Sequence, residues 1–409
     1  MDVRGQGTLS ANVASTIVDG QLQDVTAQVR ATDVNVTGAG LKGDRVQTSR
    51  LDVDAKLTQK GKTFQVDKLE AQTDWASLTA TGAVPTSVTS LTDLLESDAA
   101  YDLKGQFDCD VAALLSQMPN TFGIKEGMQI TRGRASGSVE TTTQAGRATV
   151  VARTSLVGLA GTMDGKEFSL SEPVTANLKL SADDETTQLE SLDVSAAFAR
   201  ITASGDFANI DYNGKVDLAK LQAELGQFAN LGPYEMAGEL ASTGQVSIEP
   251  NDMGATGSAS IKQFVLASAD GNSVSEPAAD IDFALNLDKE KQVLAIDNVA
   301  VKSTVGNVTV REGTVPLDKA SPAPMKLDVT ARDLDLQKAK PYAVFFGALP
   351  REAELSGIAA SELALTRQNG KLRIRTDDTA IRNLRLQMPG EKPFAQKDVT
   401  LLLLSLIHI

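Results

Sequence analysis

Residues 174–180 read VTANLKL, with Val174, Ala176, Leu178 and Leu180 alternating with Thr175, Asn177 and Lys179. A period of two places the apolar set on one face of an extended strand and the polar set on the other. The same alternation returns in residues 51–57, where Leu51, Val53, Ala55 and Leu57 are separated by Asp52, Asp54 and Lys56. It returns again where Ile281, Phe283, Leu285 and Leu287 have Asp282, Asn286 and Asp288 on the opposite face. These twelve apolar residues are the candidate face for an apolar ligand.

Around them, Asp164-Gly165, Asn213-Gly214, Asp270-Gly271 and Asn369-Gly370 have the chemistry of two-residue hairpin turns, which need positive φ. The expected fold is therefore mainly β, an elongated, curved antiparallel sheet. Few segments are helical. Val111, Leu114, Leu115 and Met118 follow Asp110 at helical spacing and precede Pro119, and Leu218, Leu221, Leu225 and Phe228 follow Asp217. Leu336 and Ala339 follow Asp335 before Pro341, and a smaller candidate covers Leu91, Leu94 and Leu95.

The three stronger helices begin about 110 residues apart, the mark of a long internal repeat. Ser171-Glu172-Pro173 recurs as Ser275-Glu276-Pro277, each time ahead of an alternating strand. Segments 69–82 (LEAQTDWASLTATG), 192–205 (LDVSAAFARITASG) and 299–313 (VAVKSTVGNVTVREG) each read as a hairpin ending in glycine. The expected organisation is a partial first repeat over 1–100, a second over 101–207 with a helix near 110–119, and a third over 208–323 with a helix near 217–230. A partial fourth covers 324–403, with a helix near 335–346. Such units bury apolar surface by continuing the sheet into their neighbours.

Residues 404–409, LSLIHI, match one reading frame of a transposon adapter used in sequencing libraries, CTG TCT CTT ATA CAC ATC. The tail is expected to be an artefact, which would make the native protein longer and Met1 an internal start. The only histidine, His408, lies in that tail.

Composition narrows function by exclusion. The 409 residues carry 39 Lys plus Arg against 53 Asp plus Glu, a formal charge of −14 that repels phosphate backbones, so nucleic acid is not an expected partner. Without a trusted histidine there is no Ser-His-Asp or Cys-His system and no ordinary zinc site, and no nucleotide-binding glycine motif is present. No cofactor is expected. Cys109, between Asp108 and Asp110, reads as structural.

The pairs Asp52/Asp54, Asp108/Asp110 and Asp333/Asp335 fit a charged strand face better than a glycosidase dyad. Arg367, Lys371, Arg373, Arg375, Arg382 and Arg385 read as a solvated hairpin face, and Trp75 as an anchor between repeats. Aromatic content of 4% does not provide the girdles of a transmembrane barrel.

The passage of a strand through an acidic residue into a short Leu-rich helix, as in GQFDCDVAALLSQMP (105–119) and GKVDLAKLQAELGQF (214–228), resembles the AsmA-like and TamB-like families. That resemblance implies a non-enzymatic periplasmic protein anchored in the inner membrane by an N-terminal helix absent from this sequence. It implies an apolar concave β-groove that shields phospholipid acyl chains between inner and outer membranes. The alternative is a structural repeat rod of a cell-surface or secreted adhesin. Oligomeric state is not readable from the sequence.

Overall fold

A computed structural model describes residues 3–18, 21–86, 101–124, 127–144, 146–183, 186–206, 208–226, 234–317, 323–368 and 371–408. The chain is mainly β, with antiparallel strands and a few short helices. It divides into two units, Met1–Asp206 with Ala223–Asn230, and Phe207–Gln222 with Leu231–Ile409.

The first unit holds β1 (Val3–Val18), β2 (Gln21–Gly38), β3 (Val46–Lys60), β4 (Thr63–Thr73), β5 (Ala76–Pro85) and β6 (Asp102–Asp110). Two short helices follow, α1 (Val111–Gln117) and α2 (Pro119–Phe122). Then come β7 (Met128–Gln144), β8 (Arg147–Met163), β9 (Lys166–Ser169), β10 (Val174–Ala182), β11 (Thr187–Ala196) and β12 (Ala199–Asp206). Each strand pairs antiparallel with the next, except that β8 is shared. Its far end takes the short β9 and its near end takes β10.

The second unit holds β13 (Asn209–Asp217), β14 (Tyr234–Ile248), β15 (Asp252–Ser268), β16 (Ser273–Asp288), β17 (Val293–Ser303), β18 (Asn307–Pro316) and β19 (Met325–Asp335). It continues through β20 (Glu354–Gln368), β21 (Lys371–Gln387) and β22 (Phe394–His408), again paired in chain order. Strand β22 includes residues 404–408 of the tail, with Lys371 opposite His408. Helix α3 (Leu218–Leu225) follows β13, and α4 (Leu336–Phe345) follows β19.

The helix starts match their expected aspartates. Asp110 accepts from Ala113 N at 3.0 Å, Asp217 from Lys220 N at 3.0 Å, and Asp335 from Gln337 N at 3.0 Å and Lys338 N at 3.3 Å. Each carboxylate satisfies donors that an isolated first turn leaves open. Pro119 does more than end α1. It opens α2 at the first helical position, where its missing N–H leaves no donor unsatisfied.

The three glycine-ended hairpins form as β4–β5, β11–β12 and β17–β18. Gly82 shows why glycine stands there: its φ is +127°, and a Cβ would lie 1.8 Å from Asp102 O on the next strand. Asp164-Gly165 makes the two-residue β8–β9 turn, with φ of 49° and 79°.

Asp270-Gly271 lies in a four-residue loop between β15 and β16, and not in a two-residue turn. Asn213-Gly214 is no turn. It lies inside β13, paired with Thr243 and Ser242 of β14, because cross-strand pairing on both sides of the dipeptide overrides its turn preference. Asn369-Gly370 and the candidate helix at Leu91, Leu94 and Leu95 lie outside the described residues.

Among the described residues no strand or helix forms a second layer across either unit's sheet. The buried apolar residues are few and scattered; the one packed cluster joins Tyr101, Ala148 and Val84. Accessible surface totals 24566 Å² for 43.1 kDa. Two separate compact bodies of half that mass would together expose about 18,000 Å².

Candidate functional site: an uncovered apolar sheet face

Register decides which side chains share a face, and in the first unit it aligns them without a break. One cross-strand row runs through Ala11, Val29, Val53, Ala71, Leu78, Phe107, Gly137, Thr154, Ala176, Val194 and Ile201. Two residues along each strand lies a second row of Val13, Ala27, Ala55, Leu69, Ala80, Gly105, Val139, Ala152, Leu178, Leu192 and Ala203. Successive bulges shift the register where needed, as between Lys56 and Leu57, so that Leu57 still meets Val66.

The candidate residues of β3 and β10 therefore lie on one face, six strands apart. All eight, Leu51, Val53, Ala55, Leu57, Val174, Ala176, Leu178 and Leu180, are half-buried. Their neighbours along the strands shield their flanks, and their tops remain open. In the second unit Ile281, Phe283, Leu285 and Leu287 on β16 are likewise half-buried. Phe283 faces Gly257 and Val299, in a row that extends through Val310, Val329 and Leu363.

The aromatics on this face lie over glycines. At Gly137 a Cβ would come within 2.4 Å of Phe107 Cε1, and at Gly257 within 3.2 Å of Phe283 Cζ. Glycine lets the ring lie low on the sheet, which keeps the face smooth. The sequence reading missed Leu78, Phe107 and Ile201, each exposed enough to meet a ligand. Their strands are diluted with glycine and threonine, and only the register joins them to the rows.

The opposite face is polar along equally continuous rows. One of them passes through Gln28, Asp54, Glu70, Thr79, Gln106, Ser138, Arg153, Asn177 and Asp193. A hollow of about 610 Å³ in the first unit opens on this polar face between β5, β6, β7, β8 and β10. The resemblance implied a concave apolar side. Here the hollow is lined mostly by polar residues such as Ser77, Ser136, Ser138, Ser155 and Thr175, with Phe107 and Gly137 among them.

This face is not simply solvated. Asp52 is buried, 8% exposed, beneath Arg30 and Arg50. Arg30 Nη2 also reaches Asp54 Oδ2 at 3.4 Å, so one guanidinium holds the pair together. The pair Asp108/Asp110 is divided in role: Asp108 accepts from Arg134 Nε at 2.6 Å and Asp110 caps α1. Asp333 sits at a bulge with φ of 53° while Asp335 caps α4.

The helices close one end of the strands, each reaching back. From the end of β6, Gln117 Oε1 of α1 accepts Gln47 N of β3 at 2.5 Å. Asp44, just before β3, accepts from Asn120 N at 3.2 Å and Thr121 N at 2.6 Å at the start of α2. From the end of β19, Tyr342 of α4 donates to Glu276 Oε2 of β16 at 3.2 Å, and Thr304 N donates to Oε1 at 3.0 Å. In both units the helix spans back three strands. Glu224, near the end of α3, takes Ser171 N on both oxygens at 3.2 and 3.1 Å.

These buried acids were not singled out by sequence reasoning, although the repeated Ser-Glu-Pro marks two of the places where they act. The first supplies the donor Ser171 N, and the second supplies the acceptor Glu276 itself. Burial pushes the Asp44 carboxyl up, but the hydrogen bonds from Thr121 and Asn120 outweigh it and hold it below the usual range. Burial, then the Glu276 charge, push the Tyr342 phenol up to about 12.

Trp75 joins this end: its Nε1 donates to Gln47 O at 3.3 Å, and its carbonyl accepts Asp110 N at 2.8 Å. Burial first, and the charges of Asp110 and Asp108 second, push the Cys109 thiol up, away from the reactive thiolate. Arg373, Arg375, Arg382 and Arg385 are exposed on β21, where Arg385 Nη2 lies 3.6 Å from Glu354 Oε2. Among the described residues no group of three His, Cys, Asp or Glu side chains comes together, and no helix is long and apolar enough to cross a membrane.

No family model, no curated protein and no solved structure matches this chain.

Proposed function

We propose that the protein is a non-enzymatic, AsmA/TamB-like component of a bacterial envelope whose apolar sheet face shields lipid acyl chains, in phospholipid transport or outer-membrane maintenance. The observation that carries this reading is the pair of apolar rows that cross eleven strands of the first unit with no described element layered over them.

A single sheet with one apolar face must cover it with protein or ligand, and an open face of this extent marks a binding surface. Ten steps of about 4.8 Å make a path of roughly 48 Å. A bilayer's hydrocarbon core is about 30 Å thick, so one leaflet's acyl chain needs about 15 Å of that path. Each methylene withdrawn from water contributes about 0.8 kcal/mol, which favours a long chain over a small solute. Small side chains such as Ala55, Ala80, Gly105 and Ala152 keep the second row without polar interruptions.

The periplasm and a membrane anchor outside this sequence belong to the same proposal and rest on the resemblance alone. The test is to purify the chain from a bacterial host without detergent, extract it with organic solvent and assay phospholipid. Co-purified phospholipid, lost when Leu178 and Val139 are both replaced by aspartate, is the expected result. A folded protein with no lipid and no binding of an environment-sensitive apolar dye would reject the reading.

A further inference from the structure

We infer that each unit carries a docking point for the surface of an anionic phospholipid bilayer: a phenylalanine ring at the end of a helix that inserts at the boundary of headgroups and acyl chains. The inference stands on the helical ends and is independent of the apolar rows.

In the first unit Phe122 is the last residue of α2 and is 53% exposed; in the second, Phe346 directly follows α4 and is 73% exposed. Each ring precedes a glycine of positive φ, Gly123 at 65° and Gly347 at 72°, which ends the helix. The positions correspond within the repeat, twelve residues after the cap Asp110 and eleven after the cap Asp335. A single exposed apolar residue needs no explanation. Its return at the same place in both units does, because the glycine alone suffices to stop the helix and rings this exposed fill no core. Phe346 stands edge-on to Phe345 with centroids 5.3 Å apart, and Phe345 in turn meets Tyr234 at 5.3 Å, which braces the exposed ring.

The surroundings decide which partner fits. Residues 111–124 (VAALLSQMPNTFGI) and 341–350 (PYAVFFGALP) contain no charge. Cations lie beside both. Exposed Lys42 and Arg45 belong to the loop that holds α2, where Leu41 O accepts Thr121 Oγ1 at 2.9 Å and the buried Asp44 accepts Thr121 N at 2.6 Å. Neither cation makes an ion pair with a described residue. Lys338, Lys340 and Arg351 flank the second run, against Glu352.

In a chain of formal charge −14, cations gathered beside an uncharged apolar tip attract anionic headgroups across about one Debye length. A protruding ring suits a bilayer, whose lipids part around it and whose boundary layer takes aromatic side chains. A protein partner would have to offer a fitted pocket for it.

The experiment is flotation of the whole chain with vesicles that contain phosphatidylglycerol and, in parallel, with pure phosphatidylcholine vesicles. Wild type is compared with Phe122→Ser, Phe346→Ser and the two combined. Both rings are exposed, so the circular dichroism spectrum should not change. The expected result is binding to the anionic vesicles that weakens as salt rises and falls about tenfold in the combined variant, with each single variant between. The pair Leu178→Asp, Val139→Asp, which tests the apolar rows, should float as wild type does. No flotation, flotation indifferent to either ring or equal on neutral lipid, or loss of flotation in the aspartate pair would overturn the inference. So would self-association that the serine substitutions dissolve, which would assign the rings to a second copy of the chain.

Discussion

Replacing Leu178 with alanine separates an open face from a closed sandwich. Leu178 lies at the middle of the second apolar row of the first unit, between Ala152 and Leu192, and it is half-buried. A leucine sealed under a second layer loses about 2 to 5 kcal/mol on truncation to alanine, because a cavity remains. On an open face no cavity forms. About three methylene equivalents at about 0.8 kcal/mol each, half of them already in water, give a loss of about 1 kcal/mol.

Leu189 on neighbouring β11 is an internal standard, since it is 6% exposed and should lose at least about 2 kcal/mol on the same change. For a unit of about 200 residues, 1 kcal/mol corresponds to a melting shift of about 2–4 °C. The assay is thermal unfolding followed by circular dichroism, on protein stripped of lipid, for Leu178→Ala and Leu189→Ala in parallel. The smaller shift should belong to Leu178→Ala. If it destabilises as much as Leu189→Ala, a layer covers the face and the reasoning is refuted.

The helical end makes further predictions. Alkaline titration followed by phenolate absorbance should find one tyrosine near 12, absent in Tyr342→Phe. Because this folded pKa lies above the unfolded value near 10, its contribution to stability is whole below about pH 10 and is lost as pH rises toward 12. Asp44 has the opposite sign: with its folded pKa below 3.8, its anchoring of α2 persists above about pH 4 and fades as pH falls through the folded value. Hydrogen exchange at the Asn120 and Thr121 amides should report that loss first. Asp110→Ala should remove about 1 kcal/mol by uncapping α1, read as a lower unfolding midpoint in urea.

Much of the fold was legible because its determinants are local. Alternation placed Leu51 to Leu57 and Val174 to Leu180 on strands, and an aspartate before a leucine stripe placed three helix starts. Other features were hidden because they are long-range. Asn213-Gly214 has turn chemistry, but flanking pairs from Ile210 opposite Val246 to Asp217 opposite Glu239 keep it extended. Asp52 reads as a solvated charge until Arg30 and Arg50 are seen above it. The candidate face itself was half visible: single strands showed their apolar sides, while the rows through Leu78, Phe107 and Ile201 exist only in the register.

A phospholipid carrying a photoactivatable group in its acyl chain tests the central claim most directly. The lipid is bound to the whole chain and irradiated, and the modified residues are located by peptide mass spectrometry. The account predicts labels on the apolar rows, at residues such as Leu78, Phe107, Val139 and Leu178, with the polar side at Ser138 and Asn177 unlabelled. Labels confined to the polar hollow, or none above those on denatured protein, would contradict it.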